Sequence, residues 1–412
     1  MIVKTWLPIT LLVWGVLTFD PHDLKWGSVA TLVFAVPFFL RFFFKKAHPA
    51  QRLLSSAQAI ALALVFQTLV TPLLLNDPTD YLTGPPSYRL VTTYQKGALA
   101  GIRGTHFFTT DTMGFRVWPT IDYDDKKELR VFAIGGSTTQ DAPLDDQKTW
   151  THLLQRVLQT EIKQPLSVVN TGVSGLFSIH HVATLRRVVK LKPDLVVLLI
   201  GVNDWNRDIQ GFLGERRNEA PLWIQKRFFY LRNSMVGMAY RQAKAIVRTR
   251  ADTLPTERLE TGAELAAKRG SLFSRGTPIS YFPESVSDEY RHYLLEFIDI
   301  CHQAHVPCLI ANQPNAYDPA ASEEHRHSFW MTPPDRPQTL SFESLVWIAS
   351  LYNRFTMQTA DQNGVARCDP AGRMRPTATN FYDEVHFTEK GAERVANELG
   401  SCILAAAWRK TL

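Results

Sequence analysis

Leu195-Val-Val-Leu-Leu-Ile200 is an unbroken apolar run between Asp194 and Gly201. A strand with one face in water alternates apolar with polar residues, so a run without a polar member predicts a strand covered on both faces. It ends at Gly201-Val-Asn203-Asp204, where the glycine marks a turn. The same arrangement recurs. Val131 to Ile134 runs into Gly135-Gly136-Ser137, and Ser167 to Asn170 leads to Gly175. Val306 to Ala311 leads to Gln313-Pro314, and Val365 to Asp369 is a last short strand. Segments with apolar residues at three- and four-residue spacing lie between them, such as Trp150, Leu153, Leu154, Val157 and Leu158. That spacing predicts amphipathic helices. Alternating strands and helices give an α/β chain with a doubly wound parallel sheet.

Ligands of such sheets bind beyond the carboxyl ends of the strands. Ser137, Gly175 and Asn203 each follow the end of an expected strand, so the topology brings three residues distant in sequence to one edge. Tyr382-Asp383-Glu384-Val385-His386 stands just before the closing helical pattern. Asp383 and His386 are three apart. In a turn, that spacing lets the carboxylate reach the near imidazole nitrogen and leaves the far one to accept a proton from a serine. A tetrahedral intermediate also needs oxyanion donors. The backbone N–H groups of Ser137 and Gly175 and the side-chain amide of Asn203 are the candidates.

These blocks resemble those of the SGNH (GDSL-type) hydrolase superfamily. Gly136-Ser137 is similar to its first block, Gly175 to its second, Gly201-Val-Asn203-Asp204 to its third and Asp383-x-x-His386 to its fifth, over roughly Leu129 to Arg409. The resemblance implies a flavodoxin-like doubly wound sheet and a serine esterase acting on carboxylic esters. By it Ser137 is the nucleophile, His386 the general base and Asp383 its partner. Ser137, Gly175 and Asn203 form the oxyanion hole. No metal or organic cofactor is implied. The superfamily's usual Asp before the serine is Gly136 here, so substrate does not carry over from its better-known members. Thr139 replaces the second glycine of G-x-S-x-G, which argues against the nucleophile elbow of α/β-hydrolases. Upstream, Asp111-Thr-Met-Gly-Phe-Arg116 is similar to an Asn-x-x-Gly-Phe-Arg segment of some bacterial members.

The amino-terminal region reads differently. Leu53 to Asn76 contains no charged side chain, Trp26 to Phe44 carries only Arg41, and Val3 to Phe19 only Lys4. Three transmembrane helices, about 3–19, 26–44 and 53–76, are expected to precede the sheet. Arg41, Lys45, Lys46 and Arg52 flank the second loop. The positive-inside rule places that loop and the N-terminus in the cytoplasm, and everything after Asn76 outside, in the periplasm of a cell with an inner membrane. A neck (77–128) then leads to the hydrolase domain (129–412), which carries an insertion at about 205–287.

Lys and Arg number 45 against 39 Asp and Glu, a net charge of +6. Such a balance fits a membrane surface or an anionic polymer. Nucleic acid finds no support, because no zinc spacing, Gly-rich RNA motif or basic recognition helix is present. The stretch from Ala220 to Ala251 has no Asp or Glu and interleaves Arg and Lys with aromatic residues, which suits contact with a membrane or an anionic glycan. Of the four cysteines, Cys301, Cys308, Cys368 and Cys402, none forms a C-x-x-C pair. An even number permits two disulfides without specifying them, and small buried thiols are the alternative. His180-His181 lacks the carboxylate pattern of a metal site, and Glu323 to His327 reads as a solvated loop.

The sum is a membrane-anchored extracytoplasmic esterase for an O-acyl ester, with acetyl groups on a cell-envelope glycan as the expected substrate. An O-acyltransferase using the same residues and a non-catalytic glycan-binding or assembly protein are the two rival readings.

Overall fold

The computed structural model describes residues 83–84, 87–118, 121–124, 127–214, 278–329 and 340–405. Contacts divide the chain into two units, and all of these residues belong to the one formed by Leu82–Arg216 and Ala251–Leu412. Among the described residues no helix is long and apolar enough to cross a membrane. The three expected spans and the basic stretch from Ala220 to Ala251 lie outside the described residues.

An antiparallel hairpin comes first, β1 (Arg89–Leu99) and β2 (Ile102–Thr109). Five parallel strands follow: β3 (Leu129–Gly135), β4 (Leu166–Asn170), β5 (Leu195–Leu199), β6 (Cys308–Ala311) and β7 (Ala366–Cys368). Their spatial order is β4-β3-β5-β6-β7. The first strand of the sheet thus lies between its second and third, the flavodoxin-like order, with the switch point beside β3. Every residue of β3, β4, β5 and β6 is buried, as the apolar runs require. The three-residue edge strand β7 is covered only at Cys368.

Eight α-helices are described: α1 (Ser137–Gln140), α2 (Trp150–Glu161), α3 (Ser178–Val188), α4 (Val202–Phe212), α5 (Asp288–Ala304), α6 (Glu323–Arg326), α7 (Phe342–Gln362) and α8 (Glu389–Ala405). Side-chain oxygens start several of them. Thr149 accepts the His152 N–H at 3.2 Å, Ser287 that of Tyr290 at 3.3 Å and Ser341 that of Ser344 at 3.2 Å. Each such cap contributes about 1 kcal/mol. Trp150, fully buried at the start of α2, donates its indole N–H to the Thr138 carbonyl at 2.9 Å and so ties α2 to α1.

One expectation is corrected, and two stretches gain structure. The neck contains the β1–β2 hairpin, because Val91-Thr-Thr-Tyr94 and Thr105-His-Phe-Phe108 are strand formers that find each other across the Gly101 turn. The first residues of the expected insertion, from Trp205, are helical. Val202, Trp205 and Ile209 recur at helical spacing and are buried, so α4 belongs to the core. Glu323 to His327 is not a solvated loop. Ser322 caps α6, and His325 is buried with Nε2 3.1 Å from the Phe381 carbonyl.

All four cysteines are paired. Cys301 at the end of α5 bonds Cys308 at the start of β6, and Cys368 in β7 bonds Cys402 in α8. The second bridge closes a sequence separation of 34 residues, the first only 7. Restricting the unfolded chain gives about 4 kcal/mol for the longer loop and about 2.5 for the shorter. Cys368→Ser/Cys402→Ser should therefore lower unfolding free energy in a urea titration more than Cys301→Ser/Cys308→Ser does, by about 1.5 kcal/mol. Equal losses would show that strain or residual structure governs the bridges.

Candidate active site

The turn after β3 admits almost nothing but glycine. A Cβ on Gly135 would overlap Thr139 Oγ1 and lie 2.5 Å from the Leu199 carbonyl oxygen. The chain therefore turns directly from the buried strand into α1, which opens with Ser137, half-buried at the sheet edge. As the first residue of α1, Ser137 has an N–H that no preceding helical turn can accept.

His386 reaches this serine from the other end of the chain. Its Nε2 lies 2.8 Å from Ser137 Oγ, and its Nδ1 lies 2.7 Å from Asp383 Oδ2. A carboxylate only accepts, so Nδ1 carries the proton and Nε2 is left as the acceptor of the serine hydroxyl. Asp383 is completely buried, and its Oδ1 accepts the N–H groups of Val385 at 2.9 Å and His386 at 2.8 Å. The 383–386 turn thus wraps around its own carboxylate. Burial alone would raise Asp383, but the His386 charge and these hydrogen bonds prevail and hold it below the ordinary carboxylate value. For His386 burial disfavours the cation, yet the neighbouring Asp383 carboxylate raises it above its ordinary value. Tyr382 stacks on the imidazole with ring planes 7° apart and centroids 5.5 Å apart.

Asn203 stands in the first turn of α4, after β5. Its Nδ2 donates to the Leu176 carbonyl at 2.8 Å. That nitrogen carries two hydrogens, so one remains for an oxyanion. Gly175 lies in the loop after β4, exposed and with φ of +79°. Its neighbour Ser174 donates through Oγ to Gln140 Oε1 at 2.5 Å, which ties this loop to the end of α1.

The site therefore brings Ser137, His386 and Asp383 into one hydrogen-bonded line. It sets the Asn203 amide beside the serine turn and ties the Gly175 loop to α1. The profile of the GDSL-like lipase/acylhydrolase family matches residues 133–394, which include every one of these groups. The chain belongs to this family. It is accordingly a serine esterase or acylhydrolase. Solved structures of similar proteins include a lipase/acylhydrolase from Enterococcus faecalis, 12% identical over 67% of this chain and 95% of that one, with a TM-score of 0.36. A GDSL-like lipase from Bacteroides thetaiotaomicron is 15% identical, covering 71% of this chain and 93% of its own, with a TM-score of 0.35. A carbohydrate acetylesterase family member from Sinorhizobium meliloti is 14% identical, covering 67% and 97%, with a TM-score of 0.33. No curated protein matches the chain.

Several residues of this GDSL-like site escaped sequence reasoning. Asp204 caps not its own helix but α3. Its Oδ1 accepts the Ser178 hydroxyl at 2.7 Å and the Ser178 N–H at 3.1 Å, joining the third block to the second, and burial pushes it up to about 7. Gln313, after β6, accepts the Thr138 hydroxyl at 3.0 Å. Only the shared sheet edge makes such pairs, and no spacing announces them. Burial holds His180 at about 4 and His181 at about 3, and His180 Nδ1 accepts the Phe177 N–H at 2.9 Å. Among the described residues no three His, Cys, Asp or Glu gather as a metal site.

Gly136 acquires a reason. A Cβ there would sit 2.9 Å from Asn203 Nδ2, too close unless the amide moves. Gly136→Asp, which installs the superfamily's usual residue, should displace the Asn203 amide, and if that amide donates to an oxyanion, kcat on short acyl esters should fall by about 10²-fold. Full activity in that variant would remove Asn203 from the oxyanion hole.

Proposed function

We propose that this esterase is a membrane-anchored, extracytoplasmic enzyme that hydrolyses O-acyl esters, acetyl esters of a cell-envelope glycan in particular, through Ser137, His386 and Asp383. The observation that carries the mechanism is the continuous line from Asp383 Oδ2 through His386 to Ser137 Oγ, at 2.7 and 2.8 Å.

Ser137 Oγ attacks the acyl carbon as His386 Nε2 takes its proton. Asp383 stabilises the resulting imidazolium and keeps Nδ1 protonated. The oxyanion rests on the N–H groups of Ser137 and Gly175 and on the Asn203 amide. Collapse expels the alcohol, which receives its proton from His386. Water, deprotonated by the same nitrogen, then attacks the acyl-serine, and release of the acid restores Ser137.

Two features support an extracytoplasmic place. Leu53 to Asn76 is long enough and free of charge, with basic residues before it and acidic ones after. The catalytic unit also carries two disulfides, which form and persist in oxidising compartments. An acylated envelope glycan is an ester within reach of a domain anchored there.

Ser137→Ala should lower acid release across an acyl-ester panel by about 10⁴-fold or more, and Asp383→Asn by about 10⁴-fold. Acid release by Ser137→Ala at the wild-type rate would refute the mechanism. His386 must be neutral to act as base, so kcat/KM should fall as pH drops through its pKa. The midpoint should lie above the ordinary 6.5, because Asp383 favours the cation. Asp383→Asn should move the midpoint down. A reporter fused after Asn76 should be active only outside the cytoplasm, and cytoplasmic activity would reverse the topology.

A further inference from the structure

Arg116 ends the Asp111–Arg116 segment and takes no part in the steps above. Its side chain is 4% exposed, yet it is a cation. All five of its guanidinium N–H donors are engaged. Nε donates to Asp146 Oδ1 at 2.8 Å. One terminal nitrogen donates to the carbonyls of Gln140 and Asp141, both at 2.8 Å. The other donates to those of Leu144 at 2.6 Å and Phe107 at 3.1 Å. The Gln140 carbonyl ends α1 and that of Asp141 directly follows it, so neither has a helical continuation to satisfy it.

The contacts lead straight to the nucleophile. The Asp141 N–H donates to the Ser137 carbonyl at 2.9 Å, while the Asp141 carbonyl accepts from Arg116. Asp141 adopts φ of +50°, a conformation that a residue with a side chain keeps only when its surroundings impose it. Gln140, whose carbonyl Arg116 also holds, grips Ser174 beside Gly175 through its side chain. The Arg116 backbone in turn pairs with Asn170, at 2.8 and 3.0 Å, just ahead of that loop. One residue is thus bonded to the elements that carry the serine and the Gly175 N–H.

The rest of the segment delivers it. Asp111 Oδ1 accepts the N–H groups of Met113 at 2.8 Å and Phe115 at 2.9 Å. Gly114 takes φ of +80°, and Phe115 is buried edge-on against Phe132.

We propose that Arg116 is a positioning residue for the esterase reaction, a five-point clamp that sets Ser137 relative to the Gly175 oxyanion donor. This rests on the reading of Ser137 as nucleophile. Lysine cannot reproduce the clamp, since its three N–H donors diverge from a single atom and cannot span carbonyls on separate segments. Misplacing a reacting group by about 1 Å costs about 10²-fold.

The test uses the full chain in detergent, with Arg116→Lys and Arg116→Met assayed well below their melting temperatures. A serine-directed phosphonate reports Ser137 reactivity without a glycan. Both variants should lose about 10²-fold in kcat with KM changed by less than about twofold, and phosphonylation should slow in proportion. Folded variants with lowered melting temperature but kcat and phosphonylation within about twofold of wild type would overturn the proposal. If neither folds, Asp146→Asn serves. It keeps the shape and weakens the clamp at Nε, and should lower kcat by about tenfold at constant KM. An unchanged kcat there would overturn the clamp as well. Ser137→Ala in the same assay separates the two readings. An inert Ser137→Ala beside a normal Arg116→Lys overturns only the clamp, whereas an active Ser137→Ala removes its premise.

Discussion

Parallel pairing of β3 with β4 on one side and β5 on the other carries three strand ends to one edge of the sheet. Parallel strands need crossovers, and the crossovers here are helices that return over the faces. The turns that leave this edge hold Ser137, Gly175 and Asn203, separated by tens of residues in sequence. Close approach is what makes the edge work. Gly135 lets α1 start against the β5 carbonyls, and Gly172 packs tightly beneath Gln140. A methyl group at Gly135 would push α1 away from β5, and one at Gly172 would push the first and second blocks apart.

The second constraint is a buried charge. Asp383 has no exposed surface, and an isolated carboxylate would not remain ionised there. Two backbone N–H groups of its own turn and the imidazole N–H of His386 compensate it. The same three bonds that keep the charge in place orient the ring, so the fold and the proposed base depend on one set of contacts. Behind this turn, His325 holds the Phe381 carbonyl, and the Thr388 hydroxyl accepts the Gly391 N–H at the start of α8.

Gly136 shows how a departure from a superfamily pattern acquires meaning. Read as a letter, it is only a missing carboxylate. In three dimensions the space its side chain would fill is occupied by the Asn203 amide. The reaction class survives the substitution because the serine, histidine and aspartate are placed by other contacts. Arg116 is the converse case, a residue of a recognisable segment whose role is invisible until its five partners are seen together.

Much of this protein was legible in its residues. Unbroken apolar runs such as Leu195 to Ile200 specify a strand buried on both faces, because no amphipathic alternative exists for them. Their alternation with helical patterns specifies a parallel sheet, and the sheet places Ser137, Gly175 and Asn203 at one edge. Asp383-x-x-His386 is local, so spacing alone allowed its contact. Tertiary structure decided what depends on distance in space. It paired Cys301 with Cys308 and Cys368 with Cys402, a choice that composition leaves open. It drew Trp205 into the core and His325 behind the Asp383–His386 turn, since burial of a side chain is set by what covers it. It also joined Arg116 to the serine turn and Asp204 to Ser178, because hydrogen bonds between distant segments leave no periodic trace in the chain.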